Sequence, residues 1–227
     1  IYTLLNSSAA SDVYKRQLMI DLYTWATPNG RKISILLEEL KIRYKVIPIN
    51  IGNGAQFDEN FLVISPNNKI PAIFDHDTHM GLMESGAIMM YLAEKVGKLL
   101  PKDFKKKTKV IEWLMWQKAG IGPMLGQAHH FLHYNKGKAP YAEERYKKEA
   151  LRLYGVLEKQ LSVSEFVVGE YSIADIAIWP WISRYEWQEI NLFEFPNIRL
   201  WYQKILSRDA VQKGYHIPNF VSEIPKG

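Results

Sequence analysis

The 227 residues leave room for one large or two small domains, and at 47% hydrophobic and 23% charged they match an ordinary globular chain. The sequence contains no cysteine, which excludes a disulfide or a protein thiol nucleophile within it. The formal charge of +5 is scattered apart from Lys105, Lys106, Lys107 and Lys109; with no aromatic platform interleaved, that cluster reads as the solvated start of a helix, not as a nucleic-acid surface.

Residues 1–17 look foreign to the rest of the chain. Their basic residues lie at the wrong end for a signal peptide and their apolar stretch is too short, so they read as a non-native leader, with Met19 as the natural start. No later apolar run approaches the roughly 20 residues that a membrane-spanning helix needs.

A strand is predicted after Met19, with Ile20, Leu22 and Tyr23 as its apolar residues. The breaker cluster Thr27-Pro28-Asn29-Gly30 comes next. Ile33, Leu36, Leu37 and Leu40 then recur at helical spacing, and Val46, Ile47, Ile49 and Ile51 form a second strand. This strand–helix–strand unit implies a parallel pair. After the break at Gly52-Asn53-Gly54 come a helical turn near residues 59–64, a third strand over 70–74 and a fourth near Met80–Met83. Glu84-Ser85-Gly86 then opens a helix. Beyond Pro101 the pattern is helical, with segments expected at about 104–134, 141–161, 173–190 and 198–207. The division expected is an α/β domain at 18–97, a linker at 98–103 and an all-helical domain at 104–227.

Three loops of the first half offer chemistry. Glu84-Ser85 stands at a helix N-terminus, where free N–H groups and the dipole favour a carboxylate, while Glu84 can pair with an amino group; plain helix capping explains the same residues. Ile70-Pro71 presents its backbone to an extended peptide if the bond is cis, an uncommon state; a trans proline near a strand's first residue is well tolerated and is the reading that local sequence favours. In Thr27-Pro28-Asn29-Gly30, a hydroxyl and an amide ahead of a helix can stabilise a thiolate. An N-cap, with Asn29 as the candidate, is the plainer role.

These segments, with Gln56-Phe57, Ser65-Pro66-Asn67-Asn68-Lys69-Ile70-Pro71-Ala72, Glu84-Ser85-Gly86-Ala87-Ile88 and Gly122-Pro123-Met124-Leu125-Gly126-Gln127, resemble the cytosolic glutathione transferases, most closely the Nu class with its disulfide-reductase-like members. The likeness runs from about Met19 to Ala210. It implies a thioredoxin-like N-terminal domain followed by an all-α helical bundle, a cytoplasmic homodimer, and reduced or oxidised glutathione as cofactor. It further implies that Ile70, across a cis Pro71, pairs with the cysteinyl part of glutathione. Glu84 and Ser85 would hold the γ-glutamyl head, Gln56 and Lys69 would lie along the tripeptide, and Thr27 and Asn29 would face the sulfur as catalytic residues. Arg145 resembles an arginine that approaches a glutathione site at the dimer interface; a surface arginine among Glu143, Glu144 and Lys147 is its plainer reading. The chain departs from the better-known classes, which place a catalytic tyrosine, serine or cysteine near the first loop. Tyr23 lies within the strand and is expected buried. Small disulfides are the implied substrates, with electrophile conjugation or non-catalytic binding as the alternatives.

Other features read as structural. Ser172 and Asp175 have capping-box spacing, with Tyr171 and Ile176 as a staple. His129 and His133 are four apart, a metal-compatible spacing, but no third ligand occurs at a recognisable interval and no metal site is expected. Trp113, Trp116, Trp179, Trp181, Trp187 and Trp201 are candidates for core or dimer contacts.

Overall fold

The computed structural model describes residues 19–227. The leader expected at residues 1–17 lies outside the described residues. The chain divides into two compact units, one formed by residues up to Tyr91 together with Lys213–Val221, the other by Leu92–Gln212 together with Ser222–Gly227. The segment 213–221 thus belongs with the first unit, whereas the sequence pattern assigns it to the helical half.

In the first unit, β1 (Met19–Thr24), β2 (Arg43–Pro48), β3 (Ala72–Asp75) and β4 (Met80–Met83) form a sheet in the order β2-β1-β3-β4. The β1–β2 pair is parallel, as a crossover through α1 (Pro28–Leu40) requires, and the other two pairs are antiparallel. Strand β1 alternates as its sequence does: Ile20, Leu22 and Thr24 are buried, while Asp21 and Tyr23 are half-buried. Strand β2 begins earlier than expected because Met19 pairs with Arg43. Ile49 lies beyond the strand and joins Phe61 and Ala72 in a small core, against which Tyr23 packs. Tyr23 is therefore half-buried where full burial was expected. The short α2 (Glu59–Ile64) is capped by Asp58, and α3 (Ser85–Val96) comes after β4.

Helix α1 buries nearly all of its surface, including Ile33, Leu36, Leu37 and Leu40. The C-terminal segment docks on it. The Ser34 hydroxyl donates to the Gly214 carbonyl at 2.6 Å, and the Arg31 Nε donates to the Tyr215 carbonyl at 3.0 Å, with the guanidinium 3.5 Å above the Tyr215 ring. A Cβ on Gly214 would stand 2.6 Å from the Ile35 backbone, so only glycine permits this approach.

The second unit contains α4 (Phe104–Trp116), α5 (Gly122–Ala128), α6 (Pro140–Leu161), α7 (Ile173–Ile182) and α8 (Pro196–Leu206). Two π-turns, Gln117–Ile121 and His129–Tyr134, make the expected 104–134 run one winding with two widened turns. Asp103 caps α4, and Lys106, Lys107 and Lys109 pair with Glu170, Glu94 and Glu112. Helix α7 stops at Ile182, short of residue 190, and a 3-10 turn over Tyr185–Gln188 continues the chain. A further helix, α9 (Asp209–Tyr215), escaped the sequence pattern. No helix among the described residues is long and apolar enough to cross a membrane.

Asp175 organises this core. Its buried carboxylate accepts from the Val167 N–H at 2.9 Å, the Trp201 Nε1 at 2.9 Å, and the Ser172 N–H and hydroxyl at 3.0 and 3.2 Å. The capping box is complete, and it also ties helix α8 to the loop before α7. Trp179, Trp181 and Trp201 are buried, whereas Trp113, Trp116 and Trp187 are half-buried.

Candidate functional site

Strand register decides where the loops of the first unit gather. Thr24 is opposite Pro48 in the parallel pair; Tyr23 is opposite Ala72, and Ala72 is opposite Met83. Strands β1, β2 and β4 therefore end, and β3 begins, at one end of the sheet. Thr27 and Asn29 come after β1, Gln56 after β2, Lys69, Ile70 and Pro71 precede β3, and Glu84 and Ser85 come after β4. Eight of the expected site residues thus leave the sheet at the same end, where open α/β sheets bind ligands at their strands' carboxyl ends.

After β1, Thr27 is the N-cap of α1: its hydroxyl oxygen accepts the Gly30 N–H at 3.1 Å. The cap is thus Thr27, and Asn29 sits one residue past Pro28, inside the first turn. A hydroxyl that accepts one hydrogen bond keeps a proton to donate, so capping and thiolate contact are compatible at Thr27. The Thr27 N–H donates to the Trp25 carbonyl at 2.7 Å, which folds the loop tightly. Gly30 is part of the same device. A Cβ there would stand 2.2 Å from the Trp25 carbonyl oxygen and 2.5 Å from the Thr24 hydroxyl. Local sequence marks Gly30 only as a breaker; its function is close backbone approach. Half-buried Trp25 lies between the strand and the breaker cluster, where no motif singles it out.

Before β3, the Ser65 hydroxyl donates to the Lys69 carbonyl at 2.8 Å and the Asn68 N–H donates to the Ser65 carbonyl at 2.8 Å, closing a turn with Asn68 at φ 48°. The chain leaves this turn through exposed Lys69 and enters the Ile70–Pro71 bond, which is cis. The β1–β3 ladder ends at Tyr23 opposite Ala72, two residues past Ile70. The Ile70 backbone therefore lies beyond the ladder, in reach of an added extended segment. Buried Ser65 opens the motif, and its positioning role, a hydroxyl tied to the Lys69 carbonyl, is one the motif does not reveal. Gln56 occupies a short 3-10 turn, and its buried Oε1 has no hydrogen-bond partner, an acceptor that a ligand's N–H would satisfy.

After β4, Glu84 takes φ 68°, a left-handed conformation that costs a non-glycine residue of order 1 kcal/mol and collects at ligand clamps. Its carbonyl accepts the Ile88 N–H at 2.9 Å, so Glu84 is the residue that opens α3, with its side chain exposed and Ser85 buried beside it. The pair sits at the positive end of a twelve-residue helix, which suits a group bearing both a carboxylate and an amine. Burial, then the neighbouring Asp21 carboxylate, holds the Tyr23 phenol above its ordinary value, the opposite of what a thiol-activating phenol needs.

Arg145 lies in the second unit, exposed on α6, in a cleft of about 570 Å³ that Tyr141, Lys148 and Arg152 share with it. The two histidines pack against tryptophans of the second unit. His129 is buried, stacked on Trp181, and receives the Gln188 Nε2 at 2.9 Å, while His133 stacks on Trp187 at 4.1 Å. Burial, then Arg184 and His133, lowers the His129 pKa to about 3, so the ring is neutral. Among the described residues no group of three potential ligands is placed to hold a metal ion.

Residues 19–94 match a family model described as glutathione S-transferase, N-terminal domain, and residues 117–209 match one described as glutathione S-transferase, C-terminal domain. The disulfide-bond oxidoreductase YfcG of Escherichia coli is 50% identical over 198 residues, covering 85% of this chain and 92% of that protein. Two solved structures are similar. A glutathione transferase family member from Pseudomonas fluorescens with two glutathione bound has a TM-score of 0.81 and 41% identity, over 88% of this chain and 93% of that one. A glutathione transferase from Pseudomonas putida with one glutathione disulfide per subunit has a TM-score of 0.83 and 38% identity, over 95% and 100%.

Proposed function

This chain belongs to the glutathione S-transferase family, and from that premise we propose that it reduces small disulfides with glutathione held at the end of the first unit's sheet. The observation that carries the reading is the register that brings Thr27, Gln56, Ile70 and Glu84–Ser85 to one end, on four separate loops. The similarity to a disulfide-bond oxidoreductase, and to structures with two glutathiones or one glutathione disulfide, supports it.

When bound, two glutathiones supply the two electrons and two protons that turn one disulfide into two thiols, leaving glutathione disulfide. The chain has no cysteine to take part, so its own contribution is to bind and to stabilise charge. Ser85 and the α3 N-terminus receive the γ-glutamyl carboxylate, and Glu84 receives its amine. The Ile70 backbone pairs with the cysteinyl peptide, and Gln56 and Lys69 lie along the rest. Thr27 donates its hydroxyl proton toward the sulfur, with the Asn29 amide beside it. One such bond to a charged group suffices to lower a thiol by about one pKa unit, or about 1.4 kcal/mol. A cytoplasmic homodimer, with Arg145 approaching a glutathione site across the interface, is part of this reading.

The test is relative turnover with glutathione of bis(2-hydroxyethyl) disulfide and of an aryl halide. Faster conversion of the disulfide is expected; faster conversion of the halide assigns the site to conjugation, and glutathione binding with neither turnover assigns it to a binding protein.

A further inference from the structure

The sequence contains two Asn-Gly dipeptides, Asn29-Gly30 and Asn53-Gly54, and the fold treats them differently. Asparagine before glycine is the pairing most open to attack by the following peptide nitrogen on the side-chain amide, because glycine has no Cβ in the way and leaves the backbone free to reach the geometry. Asn29-Gly30 is closed to that attack. It lies in the first turn of α1, and the Gly30 N–H is engaged by the Thr27 hydroxyl at 3.1 Å. Gly30 is buried, with the Trp25 carbonyl oxygen where a Cβ would stand. The amide that the glutathione reading sets beside the sulfur is thereby protected.

Asn53-Gly54 is open. Asn53 is exposed, and Gly54 takes φ 84° ahead of the 3-10 turn, where a Cβ would meet nothing nearer than the Phe57 ring at 3.9 Å. Among the described residues nothing accepts the Gly54 N–H. The Asn53 Oδ1 accepts the Ala55 N–H at 3.3 Å, which folds the side chain back toward the Gly54 peptide and draws electron density from its carbonyl carbon. This segment also carries Gln56. The Ala55 N–H reaches the Asn50 carbonyl at 3.2 Å, and the Phe57 N–H donates to the Gly54 carbonyl at 3.0 Å, closing the turn on which Gln56 sits.

We propose that Asn53 is a site of spontaneous deamidation whose product loosens the hold of Gln56 on glutathione. The Gly54 nitrogen forms a bond to the Asn53 Cγ, the bond from Cγ to Nδ2 breaks, and ammonia leaves with the proton that the Gly54 nitrogen gives up. Water then opens the resulting succinimide at either carbonyl, giving aspartate or isoaspartate. One water is consumed for each ammonia released, and no oxidant or reductant takes part. Aspartate puts a negative charge on the segment that meets an anionic tripeptide. Isoaspartate also routes the main chain through Cβ and Cγ, so the link to Gly54 lengthens by one carbon and the acceptor of the Ala55 N–H becomes a backbone carbonyl. The modification stands apart from the glutathione reading; its effect on binding rests on that reading.

Parent and Asn53→Gln are aged side by side at mildly alkaline pH, mapped by peptide mass spectrometry, and titrated with glutathione by calorimetry before and after. Glutamine, whose ring closure needs one more atom, is the resistant control. The parent is expected to convert at Asn53 while Asn29 keeps its amide. Once converted, it should lose about threefold or more in glutathione affinity, the scale of one exposed charge. Aged Asn53→Gln keeps its mass and its affinity. No conversion at Asn53, or conversion at Asn29 as fast as at Asn53, overturns the site. Conversion at Asn53 with unchanged affinity, or an equal loss in aged Asn53→Gln, overturns the effect and leaves the glutathione reading standing. A fresh parent that binds no glutathione overturns that reading and the effect with it, while the peptide map still decides the site.

Discussion

The sheet end of the first unit and the polar core of the second are built from the same kinds of groups and use them differently. In the second unit, Asp175 accepts four hydrogen bonds from buried donors. Gln188 joins Tyr154, His129 and the Trp181 carbonyl in one closed network. In the first unit, the Gln56 Oε1 is buried without a partner, the Ile70 backbone lies past the end of its ladder, and Glu84 holds a left-handed backbone. Closed polar networks rigidify a core, while unsatisfied groups and local strain mark places that wait for a ligand. The two regions should therefore respond to substitution in separate observables, stability for one and ligand affinity for the other.

Asp175→Ala should give the largest effect. It strands the donors of Val167, Trp201 and Ser172 in the interior, and urea unfolding should show a loss of about 3 kcal/mol or more. A midpoint and slope equal to the parent's would erase the distinction between the regions. Gly30→Ala should move both observables. Its Cβ collides with backbone at Trp25, so the loop must shift, costing about 1–3 kcal/mol of stability and at least about tenfold in glutathione affinity. Unchanged affinity would detach that loop from the grip.

His129 sharpens the comparison through pH. Its folded pKa, about 3, lies below the unfolded value near 6.5, so the unfolded state binds the extra proton first. Its stabilising contribution is present above pH 6.5 and is lost as pH falls toward 3. Between pH 6.5 and 5.5 the parent should lose about 1 kcal/mol more than His129→Gln does. Asp175 acts in the opposite sense. Burial pushes its carboxyl up to about 6, against the pull of four donors, so its contribution grows as pH falls from 6 toward its ordinary value. Chemical unfolding of parent and variant at both pH values isolates the histidine, and parallel curves would contradict the assignment.

The smallest expected effect is at Thr27→Val. Loss of the cap should cost about 1 kcal/mol of stability, and loss of the hydroxyl donor should raise the pH midpoint of disulfide turnover by about one unit. An unmoved midpoint with lowered stability would reduce Thr27 to a cap.

Much of the first unit was legible because its strands and helices are periodic and its breakers are local. The β2 boundary was missed because tertiary pairing of Met19 with Arg43, and recruitment of Ile49 to the Phe61 core, overrode the apolar run. The end of α7 was overrun because every residue from Ile173 to Ile182 is buried, which leaves no polar face to mark a period. Helix α9 is seven residues long and is held by Arg31 and Ser34, contacts that no local pattern announces. At the site, the motif residues could be named in advance. The roles of Ser65 and Gly30, which lie inside those motifs, could not be read, nor could the place of Trp25, because they depend on which backbone atoms lie beside them.

The most direct test of the grip is to titrate reduced and oxidised glutathione into the whole chain and into Glu84→Gln by calorimetry. The parent is expected to bind both ligands, and binding should weaken about tenfold or more when the carboxylate that receives the amine is neutralised. No heat from either ligand at high excess, or equal binding by the variant, would contradict it.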